Sequence, residues 1–435
     1  MEQALPSPKV GLVSHLKTIS GWPTNTISID FYEGGGDVIA SSCKYKPNIL
    51  LLFIPGNPGL IEWYSDTLVK IIEQLGVGYA LRGISYAGHG AGDDVTGSAD
   101  EHKQSYVNRS EHQEGSVSAK MSVSWTIEGQ REWYHLANIY VILFNCIELC
   151  KALTSTPHRN MLAHTVKHKL SWIELVIEEW KAEFKSSSQA TEELPRLIFV
   201  SHSFGAYLVQ HLLLSRPALL QQTQQIIHLM PFIRFDPPPL QKLMLSKLAH
   251  SYEYTIPMLS NSVWTLSSAL PRKLIDLYLK NVIGLDCDKG REITLDVCTH
   301  PRMVRNHLIL GFEEIRELPE MPNVSYFPSV YDVSIHFPLT RVYLQTNREK
   351  DIALRLIGNT CPTAILFGGC PDQWAPLSHM KKIEELKSKA VISNVECVYM
   401  EELTHDFVVH PHMIEPVIQF CLDQIKHPKI MNSKL

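Results

Sequence analysis

Runs of mainly apolar residues, most of them ending in a turn rich in Gly, Pro or Ser, recur along this chain of 435 residues. Strands buried on both faces of a parallel sheet have such runs, and helix-like segments separate them here. The pattern predicts a doubly wound, mostly parallel α/β sheet. Residues Val10–Ala40 alternate loosely instead and predict antiparallel strands at a sheet edge. These runs are Asn48–Pro55, which is apolar without a break, and Gly78–Ser85, Leu197–Val200, Gln225–Pro231, Pro362–Gly369 and Val395–Met400.

The pattern changes between two of these runs. Residues 233–359 contain helix-like segments rich in Leu, Ile and Met, such as Thr255–Leu270. They predict a helical lid inserted after the sixth strand, with the core domain formed by 1–232 and 360–435. Few charges and several aromatic residues suit a lid that docks into a lipid surface, and an ordinary buried helical cap fits the pattern equally well.

Composition narrows the class of protein. Lys plus Arg total 40 against 45 Asp plus Glu, and the net charge of -5 implies no basic surface for nucleic acid. The nine cysteines are scattered, odd in number and without a Cys-x-x-Cys pair, which predicts reduced thiols in a cytosol-facing protein. No stretch reaches the ~18 apolar residues that a membrane span needs. We therefore expect a protein that is soluble or lies on a surface.

The sequence Ser-His-Ser-Phe-Gly at 201–205 joins a buried run to a helix-like segment. A strand, a sharp turn and a helix present a nucleophilic serine at the carboxyl edge of a sheet. Positions two before and two after Ser203 must be small, because larger side chains would collide across the turn. Gly205 meets this demand fully, whereas Ser201 stands where glycine is usual and is expected to strain the turn. Taken alone, the motif also fits a serine-rich connection that caps the helix.

Two later strand ends supply the partners that a nucleophilic serine needs. Asp372 follows one buried run and His405 follows the next, and the chain order Ser203, Asp372, His405 is that of α/β-hydrolases. His405 is expected to accept the serine proton, while Asp372 orients and stabilises the imidazolium. The negative charge that develops on a carbonyl oxygen needs donors, which we assign to Phe204 and Asn57.

Other residues compete for these roles. Asp236 is a second candidate for the acid, because some hydrolases place the acid after the strand that ends here near Phe232. The Pro-rich surroundings of Asp236 look more like the entrance to the inserted segment. His410 and His412 are weaker alternatives to His405.

We interpret His89 and His202 as structural groups that shape the pocket. His89 also begins a His-x4-Asp sequence, a spacing found in acyltransferases, although two residues at one spacing are weak support.

Several motifs together resemble the lipid-droplet-associated hydrolase family. The likeness covers most of the chain from about Leu50 onward, and its most specific part is the Pro-Gly-Asn-Pro-Gly loop, which stands where most α/β-hydrolases have a His-Gly pair. The family pattern has glycine at the position of Ser201. The motifs are Phe53–Gly59, Ile84–His89, Ser201–Gly205, Arg305–Gly311 and Gly368–Trp374.

The resemblance implies a serine hydrolase of lipid esters, of sterol ester or acylglycerol type, which works without cofactor or metal. It implies recruitment to the phospholipid surface of lipid droplets and the endoplasmic reticulum, and our hypothesis is that Tyr252–Gly284 forms the anchor. By the motif match, Ser203, Asp372 and His405 carry the family's triad. Two other functions stay open: a low-activity surface protein that remodels droplets, and an acyltransferase that uses the same serine.

An unusual insertion is expected at about 91–170, before the run that leads to Ser203. In related sequences the Gly-Gln at 129–130 continues almost directly into the His-Lys-Leu at 168–170. The intervening residues, about 131–163, are either a real insertion or retained intron sequence. Their apolar part, Leu136–Leu149, is too short to span a bilayer.

Overall fold

The computed structural model describes residues 8–32, 45–87, 89, 161–184, 194–233, 252–318, 358–369, 372 and 374–428. Within them, an eight-stranded sheet has the spatial order β1-β2-β4-β3-β5-β6-β7-β8. Its strands are β1 Lys9–Ile19, β2 Trp22–Tyr32, β3 Ile49–Ile54, β4 Tyr79–Ile84, β5 Arg196–His202, β6 Thr223–Leu229, β7 Thr363–Phe367 and β8 Val395–Tyr399.

The pairing confirms the predicted sheet. β1 pairs with β2, and β2 with β4, in antiparallel fashion at one edge. Every other neighbouring pair, from β4–β3 to β7–β8, is parallel. Parallel strands require crossover connections, so the carboxyl ends of β3, β5, β7 and β8 come together at one edge of the sheet.

Helices cover both faces of this sheet. The central helices of the core are α1 Ser65–Leu75, α2 Met161–Phe184, α3 Phe204–Ser215 and the short α4 Pro217–Gln222. Four more, α5 Tyr252–Ala269, α6 Arg272–Asn281, α7 Asp288–Thr299 and α8 Pro301–Glu317, lie between β6 and β7. The last two described helices are α9 Leu377–Ser388, beside β8, and α10 Pro411–Lys426.

Two hydrophobic cores explain why β3 is apolar throughout. Successive side chains of a strand point to opposite faces. Leu51 and Phe53 face one core, which they share with α1, α9 and α10. Leu50, Leu52 and Ile54 face the other, against α2 and α3. Because both faces are covered, a polar residue on either side of β3 would be desolvated.

The predicted inserted segment is helical where it is described, and α5 packs against α8. Lys289 of α7 forms a 2.6 Å ion pair with Asp66 of α1. The first part of this segment, residues 234–251, lies outside the described residues, as does most of the predicted insertion at about 91–170. Among the described residues, no helix is long and apolar enough to cross a membrane. The division into core and lid domains stays a prediction.

Candidate active site

Ser203 occupies the sharp turn between β5 and α3. Its backbone has φ 51° and ψ -125°, a region that L-residues rarely adopt. The turn is so tight that a β-carbon on Gly205 would overlap the carbonyl oxygen of Ile54 and lie 2.7 Å from that of Pro55. The end of β3 is therefore pressed against the start of α3, and only glycine fits at 205.

Ser201 does not take part in this strain. It lies within β5, in register with His228 of β6, and is fully buried. Its Oγ is 2.7 Å from Nδ1 of His228. The sequence predicted that Ser201 would strain the turn, whereas the structure places the positive φ at Ser203 and gives Ser201 an ordinary strand position with a polar partner.

The structure brings Ser203, His405 and Asp372 into hydrogen-bond contact. Nε2 of His405 lies 2.8 Å from Oγ of Ser203, and Nδ1 lies 3.0 Å from Oδ2 of Asp372. An ionised carboxylate only accepts, so Nδ1 carries the proton of the neutral ring. Nε2 is then free to accept the hydroxyl proton of Ser203. This tautomer is the one that a general base requires.

Asp372 is held as an ionised acceptor. Its Oδ1 accepts hydrogen bonds of 2.9 Å from the backbone N–H groups of Trp374 and Ala375. Burial alone would raise the pKa of Asp372, but the charge and hydrogen bond of His405 and the two N–H groups outweigh it and lower the pKa below its usual value.

His410 and His412 have other surroundings. Nε2 of His410 lies 3.2 Å from Oδ2 of Asp406, and the ring of His412 lies 5.9 Å from that of His410. The hydrogen bond to Asp406 raises the pKa of His410. Of these three histidines, the one that contacts Ser203 is His405. The second candidate acid, Asp236, lies outside the described residues.

The structure places Phe204 at the turn and brings Gly56, the neighbour of Asn57, close to Ser203. Phe204 is the first residue of α3, so its N–H has no acceptor within the helix and faces the positive end of the helix dipole. The loop that contains Asn57 passes close to the turn, since a β-carbon on Gly56 would lie 2.5 Å from Cβ of Ser203. The side chain of Asn57 points to α8, where Nδ2 donates to the carbonyl oxygen of His307 at 3.4 Å.

His89 and His202 are both buried. The ring of His89 stacks on His307 of α8 at 4.7 Å, and burial lowers the pKa of His89 to about 4. The ring of His202 bonds to Tyr64 on one side and to the main chain of His405 on the other. The sequence indicated that both histidines shape the pocket, but it did not indicate Tyr64.

Glu314 of α8 was also missed by sequence reasoning. It is buried, and burial raises its pKa well above the usual value, opposed by an interaction with the amide of Asn57. The sequence did contain a signal for Glu314: it lies seven residues after His307, and residues seven apart lie on the same face of a helix. Among the described residues, no cluster of three or more His, Cys, Asp or Glu side chains could hold a metal ion.

The sheet topology and the sharp turn at Ser203 define the α/β-hydrolase class. The model of the lipid-droplet associated hydrolase family matches residues 47–125 and 137–408, and the chain belongs to that family. The resemblance seen in the sequence is thereby confirmed, and the chain is a hydrolase from a family named for its association with lipid droplets.

Solved structures with a similar fold share little sequence identity with this protein. The haloalkane dehalogenase DatA from Agrobacterium tumefaciens C58 is 12% identical, with 96% of each chain covered and a TM-score of 0.49. A thermophilic esterase from Thermogutta terrifontis is 10% identical, with 96% of this chain and 98% of the esterase covered and a TM-score of 0.45. Among curated proteins, none matches the sequence.

Proposed function

We propose that this hydrolase cleaves carboxylic esters of lipids, of sterol ester or acylglycerol type, through an acyl-enzyme on Ser203. The observation that carries the proposal is the continuous set of hydrogen bonds from Ser203 through His405 to Asp372. Asp372 accepts from the ring, the ring accepts from the serine hydroxyl, and the serine stands at a strained turn beside unpaired helix N–H groups. Acyl transfer to a serine needs each of these features.

The reaction proceeds in two halves. As Oγ of Ser203 attacks the ester carbonyl carbon, Nε2 of His405 takes its proton, and the N–H groups of Phe204 and Asn57 stabilise the oxyanion. His405 then gives the proton to the departing alcohol, which leaves the acyl group on Ser203. A water molecule, deprotonated by His405, attacks this ester, the fatty acid leaves, and Ser203 recovers its proton. Asp372 stabilises the imidazolium of His405 in both halves.

The test is a panel of sterol esters, triacylglycerol and monoacylglycerol, with the wild type and Ser203→Ala. We expect fatty acid release by the wild type and a loss of about 10³-fold or more in the variant. A fluorophosphonate should label the wild type and not the variant. Ser215→Ala is the control, because Ser215 lies at the far end of α3, the helix that begins directly after Ser203. Release that survives Ser203→Ala would overturn the proposal, and acyl transfer to an added alcohol in place of release would make the protein an acyltransferase.

The droplet surface is proposed to meet an exposed apolar face on α5, α6 and the loop after them. This face consists of large side chains between 43% and 62% exposed: Trp264, Leu266, Leu270, Leu274, Leu277, Tyr278, Val282 and Ile283. Exposure of so many apolar groups in one segment is costly in water, and aromatic residues suit a lipid interface. Lys273 and Lys280 are exposed on α6, where they would contact the phosphate headgroups of the lipid surface.

We predict that the double variant Leu274→Ser with Leu277→Ser binds phospholipid-coated droplets less than the wild type, because it removes two side chains from the exposed apolar face. Trp22→Ser removes a side chain that is 54% exposed at the start of β2, outside α5 and α6, and it is the matched control. Flotation of the purified full chain with triolein droplets measures the bound fraction. Equal flotation of the wild type and the double variant would exclude this face as the anchor.

A further inference from the structure

One chain of hydrogen bonds connects α1, the nucleophile turn and the loop that carries His405. The hydroxyl of Tyr64, just before α1, lies 2.7 Å from Nδ1 of His202. Nε2 of His202 lies 2.9 Å from the main-chain oxygen of His405. Tyr64 and His202 are both buried, so each bond is shielded from water.

The directions of these bonds follow from their chemistry. A carbonyl oxygen only accepts, so Nε2 of His202 must donate to His405. Burial lowers the pKa of His202 to about 3, and the ring is neutral at physiological pH. A neutral imidazole has one N–H, so Nδ1 has none and accepts from the hydroxyl of Tyr64. The chain therefore runs in one direction, from Tyr64 to His202 to His405.

His405 is consequently held to the nucleophile turn at two points. Its ring nitrogen bonds to the side chain of Ser203, and its carbonyl bonds to the side chain of His202, the residue immediately before. The bonds to Ser203 and Asp372 act on the ring, whereas the bond from His202 acts on the backbone and fixes the point from which the ring extends. Phe407 adds an edge-to-face contact with the ring of His202, at 5.3 Å and 88°.

We propose that Tyr64 and His202 are positioning residues for His405, an inference that rests on the proposed ester hydrolysis at Ser203. The hydrogen bond from His202 holds the backbone of His405 where its ring reaches both Ser203 and Asp372. Tyr64 keeps the ring of His202 in the tautomer that donates to His405. Neither residue touches the reacting atoms, so both act through His405.

Two substitutions of His202 separate the two bonds. The terminal amide of glutamine reaches the position of Nε2, so His202→Gln keeps a donor for the His405 carbonyl. The shorter amide of asparagine reaches only the position of Nδ1, so His202→Asn keeps the contact with Tyr64 and loses the one with His405. We expect kcat to fall by about 10- to 100-fold in His202→Asn and by less than about 3-fold in His202→Gln, with KM unchanged in both.

His168→Asn is the matched control for folding. His168 is also a buried histidine whose pKa burial lowers to about 3, but it bonds to Thr24, between α2 and β2. A merely structural role for His202 predicts that kcat follows the melting temperature in all three variants. The proposal predicts that the kcat of His202→Asn is lower than its melting temperature would imply. A kcat in His202→Asn equal to that in His202→Gln would overturn it.

A second measurement does not depend on turnover. The proton of Nδ1 in the His405–Asp372 hydrogen bond should give a low-field proton NMR resonance, assigned by its loss in Asp372→Asn. We expect the resonance to persist in His202→Gln and His168→Asn, and to shift or broaden in His202→Asn. An unchanged resonance in His202→Asn would refute the positioning role. Inactivity of the wild type on lipid esters would instead refute the proposed function.

Discussion

Oγ of Ser201 lies 2.7 Å from Nδ1 of His228, and both residues are buried where β5 and β6 pair in register. Ser201 therefore belongs to the sheet, and its β-carbon occupies an ordinary strand position. The hydroxyl satisfies a ring nitrogen that has no access to water. Glycine at this position would remove that partner without relieving strain at Ser203.

Ser201→Gly is accordingly expected to lower stability and leave activity unimproved. Loss of the hydroxyl leaves Nδ1 of His228 unpaired, which costs about 1–3 kcal/mol. Thermal unfolding and fluorophosphonate labelling of Ser203 measure the two effects separately. Faster labelling in Ser201→Gly would show that the serine does strain the turn.

Gly205→Ala should destroy the turn. The added β-carbon meets the backbone oxygens of Ile54 and Pro55, which cannot move without disrupting β3. We expect a loss of stability of more than about 2 kcal/mol and no labelling of Ser203. Gly78→Ala is the control, because a β-carbon there has no atom within 4 Å. Normal labelling of Gly205→Ala would contradict the packing described for the turn.

Asp372→Asn should lower kcat by about 10³- to 10⁴-fold with little change in KM, because an amide can donate to His405 and favours the wrong tautomer. Initial rates with a soluble ester measure the effect. Asp66→Asn, which removes an exposed ion pair with Lys289, is the control for loss of a carboxylate. Wild-type activity in Asp372→Asn would exclude this residue as the acid of the triad.

The ion pair of His410 and Asp406 should stabilise the protein only at lower pH. Its hydrogen bond to Asp406 raises the pKa of His410 above 6.5, so the stabilisation is complete below that pH and is lost as pH rises through the folded-state pKa. Because the carboxylate is exposed, about 0.5 kcal/mol is expected. The stability difference between wild type and His410→Gln should shrink from pH 5.5 to pH 8. Asp406→Asn should reduce this pH dependence to the smaller part that Asp286 supplies, since its Oδ2 lies 3.6 Å from Nδ1 of His410.

Glu314→Gln should increase stability at neutral pH. Burial raises the pKa of Glu314 well above 4.5, so the folded protein keeps a proton that the unfolded chain releases. Wild-type stability then falls as pH rises above 4.5, whereas the glutamine variant lacks this cost and retains an acceptor for Asn57. The stability gain of Glu314→Gln, measured by urea unfolding, should grow between pH 4.5 and pH 7. A gain that stays constant would show that Glu314 is ionised in the folded state.

Much of the architecture could be predicted from the sequence, because local patterns carry it. A parallel strand covered on both faces must be apolar at successive positions, which β3 shows along its whole length. A turn with φ 51° at Ser203 leaves room for nothing larger than glycine two residues later. Chain order alone pointed to Asp372 and His405, since α/β folds place functional groups after their strands.

Contacts between distant residues depended on the tertiary structure. His405 and Ser203 are 202 residues apart, and their 2.8 Å contact follows from the register of intervening parallel strands, which no local pattern encodes. The partner of Ser201, the hydrogen bonds that join Tyr64 to His405, and the contact of α8 with Asn57 are likewise decided by packing. The sequence by itself determined the fold class, the family and the candidate chemistry. The tertiary structure decided which polar groups meet, because burial forces each of them to find a partner.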